Sequence, residues 1–479
     1  MKEVLTIIAG LVLAAQAVIA LSFFISCLWE KEKRASFFSG LQLACMLLLL
    51  FLFLYLASNG FFQSTLGAVL LALAILMAAA AFLLLARRSP ANLKALKGTK
   101  GSIAGEVKRV DEREIVFARN RSIRPGSTEY GIFYKEHPDL EAYDVKRRER
   151  GGPLGQLGSI DKPDEGPNAA ATLACLSIPL HLSAPNQVKP LPHPFMKDKK
   201  ITLSPEEATK KVKDFTSHLG ADLVGITEIN PLWIYSRRGE IFHENWEDWG
   251  KEIPADHRFA VVFATEMDFP LVGAAPHTPT VIESMRNYGK GAYISVQLAS
   301  YIANLGYPAT ANHLRHYEAI LVPLAVDAGL GELGRLGYLM TREFGPRIRL
   351  GAVTTNLPLI PDRPVDLGVA DFCRICKKCA VCCPSQSIPM GEQTEVNGIL
   401  RWKLNAETCF DYWGKIGTDC NVCMRVCPWS HARTFPHRLI VSLVSRNRYA
   451  RRIFSVMDDI FYGRKPKPKT PPAWAGLHS

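Results

Sequence analysis

Two stretches decide the reading of this chain: Cys373-Arg-Ile-Cys376-Lys-Lys-Cys379-Ala-Val-Cys382-Cys383-Pro384, and Thr418-Asp-Cys420-Asn-Val-Cys423-Met-Arg-Val-Cys427-Pro428. In the first, Cys373, Cys376, Cys379 and Cys383 form C-x2-C-x2-C-x3-C-P, the spacing of a [4Fe–4S] motif. Three thiolates so close together reach adjacent corners of one iron–sulfur cube. The fourth, turned by Pro384, points toward another. The second stretch repeats C-x2-C-x3-C-P, and Cys409 stands eleven residues before Cys420.

By the crossover logic of two-cluster ferredoxins, one cluster takes Cys373, Cys376, Cys379 and Cys427, and the other takes Cys383, Cys409, Cys420 and Cys423. Structural zinc would use paired C-x2-C knuckles and has no need of the C-P ends. Cys382 is out of register and reads as a packing residue, as do Cys27, Cys45 and Cys175. Nine of the twelve cysteines crowd between 373 and 427, which argues against a disulfide scaffold with cysteines spread along the chain.

Outward from the cysteines, 479 residues with 48% hydrophobic and 21% charged content exclude a disordered chain and leave room for two or three domains. Between residues 4 and 86, charge occurs only at Glu30–Arg34. The run 4–29 is long enough to cross a bilayer, and Ser58-Asn59-Gly60 with Gln63-Ser64 splits the rest into 37–57 and 65–86, so three spanning helices are expected. One short secretory signal would leave two helices unexplained.

Residues 1–100 hold nine Lys or Arg against three Glu, half of the net +12. Lys31, Lys33 and Arg34 fill the first loop, and Arg87, Arg88, Lys94, Lys97 and Lys100 follow the third span. Both basic segments lie on one side, so the soluble part is expected to face the cytoplasm from a multi-pass anchor in the cell membrane. Arg87-Arg88 follows an apolar helix rather than preceding one and is no twin-arginine signal. No His precedes His137 and no charge sits inside a span, which excludes a bis-histidine haem or a carboxylate proton path there.

Five segments are expected: an anchor at 1–87, an extended wrapping segment with few regular elements at 88–170, a core at 171–365, a cluster domain at 366–437, and a C-terminal helix with basic tail at 438–479. Within the core, Pro205–Leu219 reads as a helix capped by Ser204. Strands are expected at Ala221–Ile226, Ala260–Ala264, Ala319–Pro323 and Arg349–Thr355, and a helix at Tyr288–Leu305. Leu439–Phe461 is helical in pattern. The tail Arg464-Lys-Pro-Lys-Pro-Lys469 is basic enough to rest on anionic membrane lipid, and no recognition motif points to nucleic acid. There is no G-x-G-x-x-G after a strand to hold a dinucleotide.

The chain also resembles the corrinoid-dependent reductive dehalogenases. The matching stretches are Val110-Asp-Glu-Arg-Glu-Ile-Val-Phe-Ala-Arg119, Gly220-Ala-Asp-Leu-Val-Gly225, Leu305-Gly-Tyr-Pro-Ala309, Ala328-Gly-Leu-Gly-Glu-Leu-Gly-Arg335, Phe344-Gly-Pro-Arg-Ile-Arg349, Asp371-Phe-Cys373 and the final cysteine group. They span about 108–437. The related epoxyqueuosine reductases share the two-cluster ending but lack the 108–170 segment.

The resemblance implies an α+β fold: three N-terminal transmembrane helices, a nitroreductase-like α/β corrinoid-binding core and a C-terminal ferredoxin-like domain with two [4Fe–4S] clusters. It implies a cobalamin or related corrinoid without a protein ligand to cobalt, in keeping with the lack of a D-x-H-x-x-G stretch. The clusters would reduce cobalt to Co(I) for replacement of a carbon-bound halogen by hydrogen. By the same resemblance, Tyr288 stands where the family's proton donor is expected, with Arg347 as its cation and Arg349 as the alternative. Gly329, Gly331, Gly334 and Gly337 would let backbone approach the macrocycle, and Asn312 would contact corrinoid or substrate. Trp233, Tyr235, Trp246, Trp249 and Trp413 are candidate walls of an apolar pocket. The implied partners are a halogenated organic substrate, membrane lipid, and a low-potential donor: ferredoxin, flavodoxin or a quinol-linked membrane protein. Two alternatives stay open: a corrinoid reductase of another substrate, epoxyqueuosine reductase-like, and a membrane electron-transfer subunit.

Overall fold

The charge-free N-terminus folds as three helices in the computed structural model, which describes residues 2–149, 166–182, 200–241, 246–314 and 316–476. These are α1 (Lys2–Trp29), α2 (Lys33–Ser58) and α3 (Thr65–Ala86), each long and apolar enough to cross a membrane. The Ser64 side chain caps α3 by accepting from the Gly67 amide at 3.0 Å. Large apolar side chains point outward along the spans, with Phe51 69% and Phe82 71% exposed, as suits helices solvated by lipid.

The chain forms two compact units. One comprises Met1–Ala91, Leu367–Cys376 and His431–Lys469. Besides the spans it contains the helix Val369–Cys376 and two C-terminal helices, Phe435–Arg446 and Arg448–Tyr462. The single helix expected at Leu439–Phe461 is therefore broken. Asn447 has extended backbone, and its side chain accepts from the amides of Tyr449 and Ala450 at 2.7 and 3.0 Å, restarting the helix.

The second unit comprises Asn92–Asp366, Lys377–Ser430 and Thr470–Ser479. Its first core helix, α4 (Pro205–His218), begins with a capping box in which Ser204 and Glu207 exchange side-chain-to-amide bonds. The core sheet is antiparallel, built from β1 (Leu223–Glu228), β2 (Phe259–Glu266), β3 (Ala309–Asn312) and β4 (Ile348–Thr355) in the order β1-β2-β4-β3. Period-two alternation divides its core. Ala260, Val262, Ala264 and Ala352 pack on one face with Leu324 and Ala325, while Phe259, Val261 and Val353 pack on the other. That second face is covered by Ala208 and Val212 of α4 and by Leu298, Ala299 and Ile302 of α5 (Pro279–Asn304).

Several expectations fail for local reasons. Residues 321–327 form a helix instead of a strand; Pro323 falls in its first turn, where its missing amide is not needed. Helix α5 starts nine residues before Tyr288, with Pro279 in its first turn. Residues Gly166–His181 are helical, although the expected extended segment reached 170. The supposed extended segment contains three short helices, Val116–Ser122, Thr128–Glu136 and Pro138–Glu149, with Arg124-Pro125-Gly126 between the first two. Gly151-Gly152-Pro153 lies outside the described residues.

Those three helices brace a distant part of the chain. Asp144, with no exposed surface, accepts from Arg119 at 2.8 Å, Arg147 at 2.7 Å and the Tyr134 hydroxyl at 2.8 Å. The same arginines reach Glu407 at 2.8 and 2.7 Å, and Arg147 reaches Asp411 at 2.8 Å. Both acids lie on α6 (Ala406–Ile416), which carries Cys409.

Candidate functional site

Helical spacing on α5 places Thr280, Ser284 and Tyr288 on one face, each four residues from the next. The end of β2 and the start of β4 face them. Arg349, paired with Thr265 across the sheet, sets its guanidinium carbon 5.2 Å from the Tyr288 ring centre. Its Nη2 donates to Ser284 Oγ at 2.7 Å and lies 3.2 Å from Asp419 Oδ2. Ser284 in turn donates to Asp419. The Asn421 carboxamide donates to Asp419 at 2.7 Å, Ser284 at 3.2 Å and Thr280 at 3.1 Å. Burial pushes the Asp419 carboxyl up, and the Arg349 charge opposes the shift.

Arg347, the first candidate cation, goes elsewhere. Two residues before Arg349 and just ahead of the strand, it pairs with Glu266 at 2.9 Å, donates to the carbonyls of Met267 and Ser430, and stacks 5.5 Å from the Phe269 ring. Between these two arginines, the structure brings Arg349 to Tyr288.

Asp419 and Asn421 flank Cys420, so the tyrosine network abuts the cysteines directly. Cys383, Cys409, Cys420 and Cys423 line one pocket with Tyr338, Trp413, Asp419 and Asn421. Cys420 and Asn421 both have left-handed backbone, at φ 61° and 50°, an uncommon state for residues with side chains. Burial drives the thiols of Cys409 and Cys420 up to about 12 and that of Cys423 well above its usual range, with the other cysteines adding to it. Burial and mutual repulsion thus favour the protonated thiols. A metal that binds thiolate reverses that preference. Burial, then Cys423 and Cys409, also raise the Tyr338 phenol well above its usual range, and Arg349 opposes them.

The remaining candidates divide. Cys373 and Cys376 are buried in the helix Val369–Cys376 of the first unit, while Cys379 and Cys427 are buried in the second unit. None of the twelve cysteines forms a disulfide. The glycines do not open a cradle. A Cβ on Gly329, which has φ 73°, would meet the Arg363 carbonyl oxygen at 2.4 Å, and one on Gly331 would meet that of Met340 at 2.2 Å. Gly334 packs against the Met340 side chain and Gly337, at φ 83°, turns beside Leu404. The space freed by these glycines is taken by the chain itself. Asn312 is likewise committed: its carboxamide accepts from the amides of Glu318 and Ala319 and donates to the Thr310 carbonyl. Trp233 and Tyr235 belong to the sheet core, Trp246 and Trp249 lie against Arg124 and Arg113, and Trp413 alone of these five reaches the cysteine pocket. Ser284, Asp419, Asn421 and Tyr338 went unassigned from sequence. The pattern Thr418-Asp-Cys-Asn around a cluster cysteine, and the four-residue step from Ser284 to Tyr288, are the signals that locate three of them.

Comparison with known proteins bears on this site. A 4Fe-4S dicluster domain model matches residues 372–431. A tetrachloroethene reductive dehalogenase of Desulfitobacterium hafniense is 34% identical over 277 residues, covering 49% of this chain and 50% of its own length. One from Sulfurospirillum multivorans is 32% identical over 295 residues, covering 55% and 58%. Among solved structures, the catabolic reductive dehalogenase NpRdhA is similar with a TM-score of 0.60 at 25% identity, over 82% of this chain and 53% of its own. The chain thus spans about half the length of the relatives it matches.

Proposed function

We propose that the chain, 34% identical to a tetrachloroethene reductive dehalogenase over about half of each, is an iron–sulfur and corrinoid oxidoreductase of that family that replaces a carbon-bound halogen of an organic substrate by hydrogen. The observation that carries the reading is Arg349 over the Tyr288 ring, hydrogen-bonded to the loop that presents Cys420 and Cys423. A proton donor with a cation beside it and a set of cluster ligands belong to one small region.

Both cofactors fit the residues present. Four cysteines that line one pocket suit a [4Fe–4S] cluster held by Cys383, Cys409, Cys420 and Cys423. Cys373, Cys376, Cys379 and Cys427 keep the assignment to the other cluster that their spacing supports. Arg349 Nε, Asp419 Oδ1 and Asn421 Oδ1 are buried without a hydrogen-bond partner among the described residues, and such orphans suit the polar rim of a corrinoid. When bound, the corrinoid supplies the low-potential cobalt that the cleavage of a carbon–halogen bond requires.

The chain's own groups do the rest. Tyr288 gives its phenolic proton to the carbon that loses halide, and Arg349 steadies the negative charge left on the phenol oxygen. Ser284, Asp419 and Asn421 hold Arg349 in place. Arg347 is a positioning residue that ties the start of β4 to Glu266 and Ser430. The three spans anchor the protein with its soluble part toward the cytoplasm, where a ferredoxin, a flavodoxin or a quinol-linked membrane protein delivers electrons. The test is halide release by anaerobically purified protein carrying Tyr288→Phe. Loss of turnover at full corrinoid and iron content is expected, and unchanged turnover removes Tyr288 from the mechanism.

A further inference from the structure

Glu30 follows directly on the last residue of α1, and it is buried with 4% exposure. Neither of its carboxylate oxygens has a hydrogen-bond partner among the described residues. Two histidines from the C-terminal part of the same unit close on it. His437 Nδ1 lies 3.4 Å from Oε1 and His431 Nδ1 lies 3.9 Å from Oε2. Three ligand atoms, one from each residue, fall within 4.8 Å of one another. We propose that Glu30, His431 and His437 bind a divalent transition-metal ion, with Zn2+ the best match to the ligand set.

Four observations support the site beyond the cluster itself. Ligands about 2.1 Å from a tetrahedral zinc stand about 3.4 Å apart, which the His437–Oε1 separation matches, while His431 faces the other carboxylate oxygen at 3.9 Å. Each imidazole also turns its other nitrogen to a supporting group: His431 Nε2 lies 2.6 Å from Asp458 Oδ1, and His437 Nε2 lies 2.9 Å from the Tyr462 hydroxyl. Metal-binding histidines are typically oriented in this way, by a carboxylate or hydroxyl behind the ring. Two carboxylates also meet one ammonium beside the site. Glu30 and Glu32 share the Lys469 ammonium, which lies 3.0 Å from Glu32 and 3.8 Å from Glu30. Finally, the competitor at a ligand nitrogen is a hydroxyl, Thr434 Oγ1 at 2.7 Å from His437 Nδ1, which can rotate away. The ion would clip the end of the first span to the helix Phe435–Arg446 and to the residues just before it, within the same unit. The site has no sequence signature, because Glu30 stands about four hundred residues before His431-x5-His437.

The test uses the full chain with its clusters intact, dialysed against buffered Zn2+ and then against metal-free buffer, with zinc counted per chain by mass spectrometry. Wild type should retain about one zinc more than Glu30→Gln or His437→Ala. Zinc should raise the melting temperature of wild type and leave that of Glu30→Gln unmoved. Asp458→Asn, which keeps all three ligands, should bind zinc about 10- to 100-fold more weakly. Equal zinc in wild type and both ligand variants would overturn the proposal, as would a folded wild type whose melting temperature and zinc content do not respond to the ion.

Discussion

Arg349 and Arg347 stand two residues apart, and their exchange for Met separates a catalytic cation from a positioning one. In Arg349→Met the 5.2 Å contact with the Tyr288 ring loses its charge. With the phenolate charge about 5 Å away, Coulomb's law at an effective dielectric of about 20 assigns about 3 kcal/mol to the pair. Because the charge develops only as the proton leaves, the loss falls on the barrier, and about 3 kcal/mol corresponds to about 10²-fold in kcat. The nearby Asp419 trims this figure, and Arg349→Lys should recover part of it. The assay is halide release under saturating reductant, normalised to corrinoid and iron content. Arg347→Met should instead act on folding, since it leaves Glu266 without its partner and two carbonyls without a donor. A kcat within about threefold of wild type for Arg349→Met, or a purely catalytic loss confined to Arg347→Met, would refute the assignment.

Three further outcomes follow from buried charges and thiols. Asp144→Ala removes a buried acceptor shared by two arginines that keep Glu407, so it should cost about 1–3 kcal/mol and, through α6, loosen the proposed ligand Cys409; unchanged thermal unfolding and iron content would argue otherwise. Burial lifts the Glu112 carboxyl to about 8 against the opposing charge of Arg238. The folded state then holds a proton that the unfolded chain releases near pH 4.5, so this stabilising contribution is complete at low pH and is lost as pH rises through 8. Glu112→Gln should gain melting temperature relative to wild type from about pH 5 to about pH 9, and a gap that stays constant over that range would contradict the shift. Cys409→Ser should lose about four irons per chain while Cys382→Ser keeps them all; equal iron in the two variants would break the ligand assignment.

What the sequence made legible was local. The spans are visible because charge is absent over whole helix lengths, and the helix Pro205–His218 because Ser204, Pro205 and Glu207 form a cap within four residues. The cysteine spacing is readable for the same reason. The Tyr288 partner was not, because Arg347 and Arg349 are equally basic and only the strand start, at Ile348, decides which one faces α5. Asp419 meets Ser284 across 135 residues, a contact no periodicity encodes. A run of small residues such as the one at Gly329–Gly337 admits close backbone approach, but sequence does not say whether a ligand or the chain itself approaches. The helix Gly166–His181 carries Pro179 in its interior, where a proline normally interrupts helix hydrogen bonding.

The central claim is that a corrinoid works beside two iron–sulfur clusters in this chain. It is tested most directly by extracting corrinoid and counting iron in the full protein, purified anaerobically after expression with cobalamin supplied. About one corrinoid and about eight irons per chain, with halide released from an organohalide panel, are the predicted result. Full iron with no corrinoid retained would contradict it and leave the chain an electron carrier.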